Sequence, residues 1–416
     1  MGHIFTWLSK KLKTDTKYIA KNGFWLSLGQ GFRMLSGLIL LVGFANLLPK
    51  ETYGTYQFVM AAAGILSALT LSGMGSAITR STAQGNPGAL RYGVRTKLLW
   101  SIGIPIVAGI ISLYYFLNDN SVLALSFLIV GAFSPFLESF RLYRFYLRGK
   151  QHFKESELLG FQRQLIPLVT MLVALFLTSN PVTLLAVYFM SHTLALGTVY
   201  LQVVYKYRLP ITKDAEMLSL SKHSSFLNLI GMVASNLDKL LIFYFLGPVI
   251  TAAYVLAQTP TTHLRKIMAV LTEMTIPKLS KRSLPELQKT LPRKVCMFLL
   301  LITTVVGAYV LAAPALFSLF FPAYPEAILL TQVMVLVLLF YPRSIYSQVF
   351  VAHALKREMY YSRLSISILK IVFLVALLPL YGIWGAVSAT LLSHGMVALY
   401  TWYLFSNATV SPEIVT

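Results

Sequence analysis

The sequence predicts an all-α polytopic membrane protein with about twelve transmembrane helices. Of its 416 residues, 56% are hydrophobic and 12% are charged, and the mean hydropathy is +0.69. A soluble domain has about 25% charged residues, so a chain of this composition is expected to lie mostly in a bilayer. Long apolar segments alternate with short loops, and the basic residues concentrate on every second loop.

The apolar segments are long enough to cross a membrane, because about 20 residues of helix span the hydrocarbon core. We predict spans at 23–48, 55–79, 94–117, 121–143, 158–178, 182–205, 223–246, 249–273, 295–320, 327–352, 363–381 and 383–404. Every loop between them is short, so we expect no soluble domain.

Basic residues outside the spans predict the orientation of the chain. When each loop is taken with the adjoining turn of its flanking helices, one set of alternate loops and the N-terminal segment hold 27 lysines and arginines, whereas the other set holds only Lys50. This asymmetry predicts that the basic loops and both termini face the cytoplasm. We expect residues 1–22 to form an amphipathic surface segment, 206–222 a cytoplasmic loop and 406–416 a cytoplasmic tail. The net charge of +21 is then a topology signal, and no nucleic acid partner is expected.

A weak internal repeat divides the chain into halves. Residues 40–49 end span 1 and are followed by Tyr53, and residues 240–248 end span 7 and are followed by Tyr254. Each is a long helix, a proline turn and a tyrosine that opens the next helix. A repeat at an interval of six spans predicts two parallel six-helix lobes, and chance similarity between two hydrophobic hairpins is the alternative. The predicted lobes are residues 23–205 and 223–405.

Seven basic residues lie deeper in the predicted spans than the terminal turns, where a cation costs roughly 2.5–3.5 kcal/mol at the centre of a helix. They are Arg33, Arg163, Lys239, Arg265, Lys266, Arg343 and Lys370. Such side chains face protein, water or a ligand, and their sign predicts an anionic ligand. We expect Arg163, Lys266 and Lys370 to extend to the cytoplasmic surface, because they lie near the ends of their spans.

Polar stripes indicate which of these cations bind a ligand. Arg33 shares a helical face with Gln30, and pairing of Arg33 with a carboxylate elsewhere is the alternative. Arg265 shares a face with Gln258. Because guanidinium groups match the geometry of phosphate, this pattern favours a phosphate ligand. The predicted substrate-binding residues are Arg33, Arg265, Lys239, Arg343, Gln30 and Gln258.

Two acidic residues lie within the spans and are candidates for ion coupling. Asp238 ends a polar stripe in span 7, where it is either a site for H+ or Na+ or the structural partner of a cation. Glu138 has Arg141 three residues later, which is the spacing of a local ion pair, with a proton relay as the alternative. The sequence has no metal-ligand spacing and no catalytic motif, so we expect no cofactor other than a coupling H+ or Na+.

Residues 47–58, LLPKETYGTYQF, together with the twelve spans and the two halves, resemble the O-antigen (Wzx-like) polysaccharide flippases. These belong to the multidrug/oligosaccharidyl-lipid/polysaccharide exporter (MOP) superfamily. The resemblance implies a V-shaped pair of six-helix lobes and transport of undecaprenyl-diphosphate-linked oligosaccharides by alternating access. It also implies a bacterial inner membrane location, with membrane lipids and other polysaccharide assembly proteins as partners. Arg33, Lys239 and Arg265 then lie on helices that line the central cavity in this superfamily.

Two other functions were weighed against export of a lipid-linked glycan for O antigen, capsule or exopolysaccharide. A cation-coupled multidrug exporter of the same fold would need acids in its cavity, whereas cations outnumber acids within these spans. A glycan polymerase or ligase would need a large outer loop with catalytic groups, and every predicted outer loop is short. We therefore predict a transporter that is not an enzyme.

Overall fold

The computed structural model describes residues 16–273 and 275–409, and these residues fold mainly into helices. The predicted surface segment 1–22 lies outside the described residues up to residue 15, as does the predicted tail from residue 410. The helices are α1 (Thr16–Leu47), α2 (Lys50–Leu66), α3 (Met74–Ala83), α4 (Ala89–Trp100), α5 (Gly103–Leu117), α6 (Ser121–Phe140), α7 (Tyr143–Gly149), α8 (Phe153–Leu177), α9 (Pro181–Lys206), α10 (Ala215–Glu273), α11 (Ile276–Leu279), α12 (Leu284–Phe320), α13 (Glu326–Met334), α14 (Arg343–Ala352) and α15 (Lys356–Ser406). Short 3-10 segments, Ser67–Leu69 and Val335–Phe340, follow α2 and α13. The predicted all-α class is confirmed.

The chain divides into two units. The first comprises the described residues up to Leu48 together with Ala63–Leu229, and the second comprises Pro49–Ala62 together with the described residues from Ile230 onward. Helices α2 and α10 therefore each contribute to both units. The lobe boundaries expected from the sequence stay a prediction.

Nine helices in the described part of the chain are long and apolar enough to cross a membrane. They are Gly23–Leu47, Ala89–Leu117, Ser121–Gly149, Phe153–Leu177, Pro181–Lys206, Ala215–Ala269, Leu284–Phe320, Glu326–Ala352 and Lys356–Ser406. A tenth candidate is the bent pair formed by Lys50–Leu69 and Met74–Ala83. The polytopic membrane character predicted from composition is thereby confirmed.

Helix α10 reverses direction at Gly247. This residue has a φ of 83°, which residues with a Cβ rarely adopt, and Pro248 follows it. In a straight helix Tyr254 would lie about 24 Å along the axis from Asp238. Its hydroxyl is instead 3.0 Å from the Asp238 carboxylate. Helix α10 is therefore two antiparallel helices, as the predicted break between residues 246 and 249 requires.

Helix α15 contains a second reversal, at Gly382, where φ is 57°. The hydroxyls of Ser362 and Thr401 are 3.1 Å apart although 39 residues separate them in the chain. A continuous helix would place them nearly 60 Å apart, at about 1.5 Å for each residue. The predicted break between residues 381 and 383 is confirmed.

The predicted second span, 55–79, falls on a bent pair of helices, whose two parts meet at an angle of 53°. Near the bend the Thr70 hydroxyl donates to the Ser67 carbonyl at 2.8 Å, and the Ser67 hydroxyl donates to the Gly64 carbonyl at 2.6 Å. These hydroxyl groups thus donate to carbonyl groups that would accept from backbone amides in a continuing helix. The hydropathy of the segment does not indicate this break, because small residues such as Ser67 and Thr70 are also common within membrane helices.

Asp214 anchors the start of α10 within the first unit. Its Oδ1 accepts a hydrogen bond from the Met217 amide at 2.8 Å, as an N-cap does. Its Oδ2 accepts from Ser81 at 2.6 Å and from Asn86 at 3.1 Å. Burial alone would raise the pKa of Asp214, but hydrogen bonds from Ser81, the Met217 amide and Asn86 outweigh burial and hold the pKa below its usual range.

We expect Asp214→Ala to lower the stability of the protein by about 1–2 kcal/mol at neutral pH, through loss of the cap. Because the folded-state pKa is depressed, this contribution is complete above the pKa of an unfolded aspartate and is lost as the pH falls through the folded-state pKa. Thermal unfolding of the purified protein should therefore show a difference from wild type that narrows on acidification. Lys213→Ala, at an exposed neighbour, is the control, and a pH-independent difference would contradict this role of Asp214.

Candidate functional site

A carboxylate with no solvent contact lies in the polar region of the first unit. The side chain of Glu157, near the start of α8, is 0% exposed and accepts from Arg33 Nη1 at 2.7 Å and from Arg148 Nη2 at 3.3 Å. Gly29 makes room for this group, because a Cβ at that position would collide with the Glu157 carboxylate. Arg33 also donates to Gln30 Oε1 at 3.1 Å. The predicted ligand-facing pair, Gln30 and Arg33, is thus held in an intramolecular network.

Positive charge exceeds negative charge around Glu157. Arg144 and Arg163 lie within electrostatic range of Arg33. The Nε atoms of Arg144 and Arg148 are buried and have no hydrogen-bond partner among the described residues. Two guanidinium groups therefore bind this carboxylate and two more lie near Arg33, so the region keeps an excess of positive charge.

The second unit also buries a carboxylate. Asp238, on α10, has a side chain that is 0% exposed, and its Oδ2 accepts from Lys370 Nζ on α15 at 2.8 Å. The same oxygen accepts from the Tyr254 hydroxyl at 3.0 Å and from Gln258 Nε2 at 3.2 Å. Its Oδ1 accepts from the backbone amide of Lys239 at 3.0 Å. The negative charge is therefore fully compensated by hydrogen-bond donors, as a buried charge requires.

The two buried ion pairs connect corresponding helices with their charges exchanged. Arg33 and Glu157 join α1 to α8, which are predicted spans 1 and 5. Asp238 and Lys370 join α10 to α15, at predicted spans 7 and 11. The base lies on the first helix of the first pair, whereas the acid lies on the first helix of the second. The interval of six spans is the one that the internal repeat predicts.

A cavity of about 290 Å³ lies beside the Asp238–Lys370 pair in the second unit. Its basic lining residues are Lys239, Arg265 and Lys370, and no acidic residue is among the described residues that line it. Thr261 also lines the cavity, and its hydroxyl is buried without a hydrogen-bond partner in the described part of the chain. Cations and a free hydroxyl donor suit the cavity to an anion with several oxygen atoms.

A second cavity, of about 200 Å³, adjoins the first within the same unit. The two share Arg265, Val337, Ile366 and His394. The second adds Arg343, Arg363 and the buried hydroxyl of Ser344, which has no partner among the described residues. Within residues 16–273 and 275–409, no ion pair joins a carboxylate to Arg265 or Arg343. These two arginines keep their charge available to a ligand.

The structure brings together four of the six predicted substrate-binding residues, all in the second unit. They are Arg265, Lys239, Gln258 and Arg343. Arg33 and Gln30 lie in the first unit, in the Glu157 network. The role of all six in binding stays a prediction.

Two expectations about individual charges are corrected. Lys370 does not extend to the surface, since its side chain is 13% exposed and pairs with Asp238. Glu138 forms the expected pair with Arg141 at 3.0 Å, but it also pairs with Lys97 at 3.3 Å. Lys97 lies in the first turn of predicted span 3 and is therefore expected on the basic loop before it, whereas α4 begins at Ala89 and buries Lys97.

Sequence reasoning missed the acidic partner of Arg33. Glu157 precedes the predicted start of span 5, at residue 158, by one residue. Helix α8 begins at Phe153, four residues before Glu157. One signal was present: Glu157, Gly160 and Gln164 recur at helical spacing, like the small and polar stripe of α1. Continuing the helix backwards along this stripe would have placed the carboxylate within reach of another span.

Residues 19–283 match the family model described as polysaccharide biosynthesis protein, and this match covers more than half of the chain. The chain belongs to this family. No curated protein matches it by sequence. Together with the solved structures described next, the family match confirms the resemblance to polysaccharide flippases of the MOP superfamily.

This polysaccharide biosynthesis protein has the fold of MOP superfamily transporters. A MATE family multidrug resistance transporter in its inward-facing conformation gives a TM-score of 0.69 at 15% identity, with 89% of this chain and 94% of that chain covered. The lipid II flippase MurJ, in an inward closed conformation, gives 0.67 at 15% identity, with 92% and 87% covered. A MOP superfamily transporter from Pyrococcus furiosus, for which a binding pocket of reverse polarity is described, gives 0.57 at 16% identity, with 94% of each chain covered.

We expect Asp238→Asn and Lys370→Gln each to destabilise this protein, because removing one partner leaves the other charge uncompensated, at a cost of about 3–5 kcal/mol for a fully buried pair. The double variant should recover most of the loss, since neither charge then remains. Thermal unfolding of the purified single and double variants measures this coupling. Lys266→Gln, at an exposed neighbouring cation, serves as the control, and additive losses in the double variant would contradict the pairing.

Proposed function

We propose that this protein moves a lipid-linked oligosaccharide from the cytoplasmic to the outer leaflet for synthesis of a surface polysaccharide. The observation that carries the proposal is the pair of adjoining cavities in the second unit, lined by five basic residues and by no acid among the described residues. Membership of the polysaccharide biosynthesis family supports a glycan as the cargo. The proposed substrate is an undecaprenyl-diphosphate-linked repeat unit of an O antigen, capsule or exopolysaccharide.

The physical problem for such a substrate is its head group. Moving a diphosphate and its sugars through hydrocarbon would strip water from charges and hydroxyls without replacement. Arginine side chains donate paired hydrogen bonds to phosphate oxygens and so replace that water. Arg265 and Arg343, which have no acidic partner in the described part of the chain, are the proposed phosphate ligands, with Lys239 and Gln258 beside them. The apolar tail remains in lipid.

We place twelve spans in a bacterial inner membrane, with two six-helix lobes and both termini in the cytoplasm. The reversals at Gly247 and Gly382 support this count, because each converts one of the ten candidate spans into two. The basic loops support the orientation. Transport would proceed by alternating access, without an enzymatic step and without a cofactor. Other polysaccharide assembly proteins and membrane lipids are the proposed partners.

Export of organic cations is disfavoured by the same cavities. A cationic drug would meet Lys239, Arg265 and Arg343 and no acid among the described lining residues. Asp238, the nearest acid, is already paired with Lys370. Like charges repel, so the positive charge of the residues that line these cavities favours an anionic substrate.

We expect the double substitution Arg265→Gln and Arg343→Gln to reduce the rate of flipping at least about tenfold, because a hydrogen bond to a charged group contributes about 1.5–3 kcal/mol. The measurement is the rate at which a labelled lipid-linked oligosaccharide becomes accessible in the opposite leaflet of proteoliposomes. Lys266→Gln removes a neighbouring exposed charge and should keep the wild-type rate. A full rate in the double variant would refute the assignment of the phosphate site.

Coupling to H+ or Na+ through Asp238, with Glu138 as the second candidate, is the proposed source of energy. Protonation of Asp238 would remove the partner of Lys370 and add a free cation to the cavity that Lys370 lines. We therefore expect Asp238→Asn combined with Lys370→Gln, which avoids an unpaired charge, to lose the dependence of flipping on an H+ or Na+ gradient. Glu138→Gln tests the second candidate in the same assay. If the Asp238→Asn, Lys370→Gln double variant keeps the wild-type dependence on the ion gradient, Asp238 has only a structural role.

A further inference from the structure

The first unit carries an apolar groove of about 680 Å³ that the proposed transport cycle does not use. Its walls come from α4, α5, α6 and α9, and they include Leu99, Ile102 and Phe136, which are exposed on the surface of the unit. Exposed apolar walls on a membrane helix contact lipid and not water. The groove is therefore open to the hydrocarbon of the bilayer.

One end of the groove is cationic. Arg91 and Arg95 line it from the first turns of α4, one helical turn apart and therefore on the same face. Arg91 Nη1 donates to the Leu209 carbonyl at 2.9 Å, and Arg95 is exposed. No carboxylate forms an ion pair with either arginine in the described ranges 16–273 and 275–409. Neither guanidinium group is neutralised by a carboxylate among the described residues, so both keep a positive charge for an anion at the mouth of an apolar channel.

The length of the groove matches one leaflet. From Arg91 to Pro105 the chain advances fourteen positions along α4 and α5, or at most about 21 Å. Half of a bilayer core about 30 Å thick is about 15 Å, so the groove has about the depth of one leaflet. A lipid whose acyl chain lies in the groove would have its charged head group at Arg91 and Arg95.

We propose that this groove binds one anionic phospholipid, with an acyl chain along the apolar walls and its phosphate on Arg91 and Arg95. Basic pockets between transmembrane helices on the cytoplasmic side are the usual sites for anionic head groups. Arg91 and Arg95 belong to one of the basic loop regions, which faces the leaflet where anionic lipids attract such residues. Bulk phospholipid reaches the open groove directly from the bilayer and is present in large excess over any transported lipid.

The bound lipid would stabilise the break between α4 and α5. These helices are separated at Ser101 and Ile102, and Ile102 and Pro105 line the groove on the far side of the break. Gly131, on α6, faces Ala108 and Pro105 across the same region. A lipid in the groove binds the folded protein and not the unfolded chain, so anionic lipid should raise the thermal stability of the protein.

The test compares lipid binding to the purified full-length protein by native mass spectrometry and thermal unfolding. Phosphatidylglycerol is the probe and phosphatidylcholine is the neutral comparison. The wild type should retain phosphatidylglycerol and melt at a higher temperature with it than with phosphatidylcholine. Each arginine near the surface should contribute about fivefold to the affinity, which corresponds to about 1 kcal/mol. Arg95→Gln should therefore weaken binding about fivefold, and Arg91→Gln with Arg95→Gln should weaken it further.

Two further variants keep the proposal falsifiable. Ala132→Phe fills the groove from an exposed position of its wall and should remove the effect of phosphatidylglycerol while both arginines remain. Lys213→Gln with Lys289→Gln removes two exposed charges elsewhere and should leave binding unchanged. An equal response to phosphatidylcholine, or unchanged binding in the arginine variants and in Ala132→Phe, would overturn the proposal. Displacement of phosphatidylglycerol by an equimolar polyprenyl phosphate would also overturn it, by assigning the groove to an isoprenoid chain.

Discussion

A carboxylate buried in a membrane protein must be neutralised by a cation, and the polar interior of each unit is arranged around one such pair. Glu157 accepts from Arg33 and Arg148 in the first unit, and Asp238 accepts from Lys370 in the second. In low-dielectric surroundings an unpaired charge would cost several kcal/mol, so these contacts determine which helices pack together. In the first pair the base lies on the earlier helix, and in the second pair the acid does. Corresponding helices are therefore joined in both units, although the charge that each helix carries is reversed.

The proposed function rests on the charges that remain after this pairing. Glu138, Glu157 and Asp238 are already paired with cations, whereas Arg265 and Arg343 have no acidic partner within the described residues and line connected cavities. Structural pairs and the proposed ligand-binding cations therefore lie side by side, and Lys370 belongs to both groups because it binds Asp238 and lines the cavity. The cations that have no acidic partner are the proposed ligands of a phosphate that the transporter must later release.

Local features of the fold could be read from the sequence, whereas long-range partners could not. Gly247 and Gly382 mark reversals because glycine and proline interrupt apolar runs, and these breaks were predicted within a residue or two. Helical spacing placed Gln258 and Arg265 on one face, and both line the same cavity. The partner of Asp238 could not be predicted in this way, because Lys370 is 132 residues away and periodicity gives no information on which helices meet. Glu157 and Lys97 were missed for a different reason, since each lies within about one turn of a predicted span start, where polar composition resembles a loop, whereas the helices begin earlier, at Phe153 and Ala89.

The central claim is that unpaired cations in the second unit recognise the anionic linkage of a lipid-linked glycan. The most direct measurement is the equilibrium affinity of the purified protein for a polyprenyl-diphosphate-linked oligosaccharide and for an uncharged polyprenyl glycoside of the same sugars. The account predicts that the wild type prefers the diphosphate and that a protein with Arg265 and Arg343 both changed to glutamine loses this preference while still binding the neutral compound. Equal affinity of the wild type for the two ligands would contradict it.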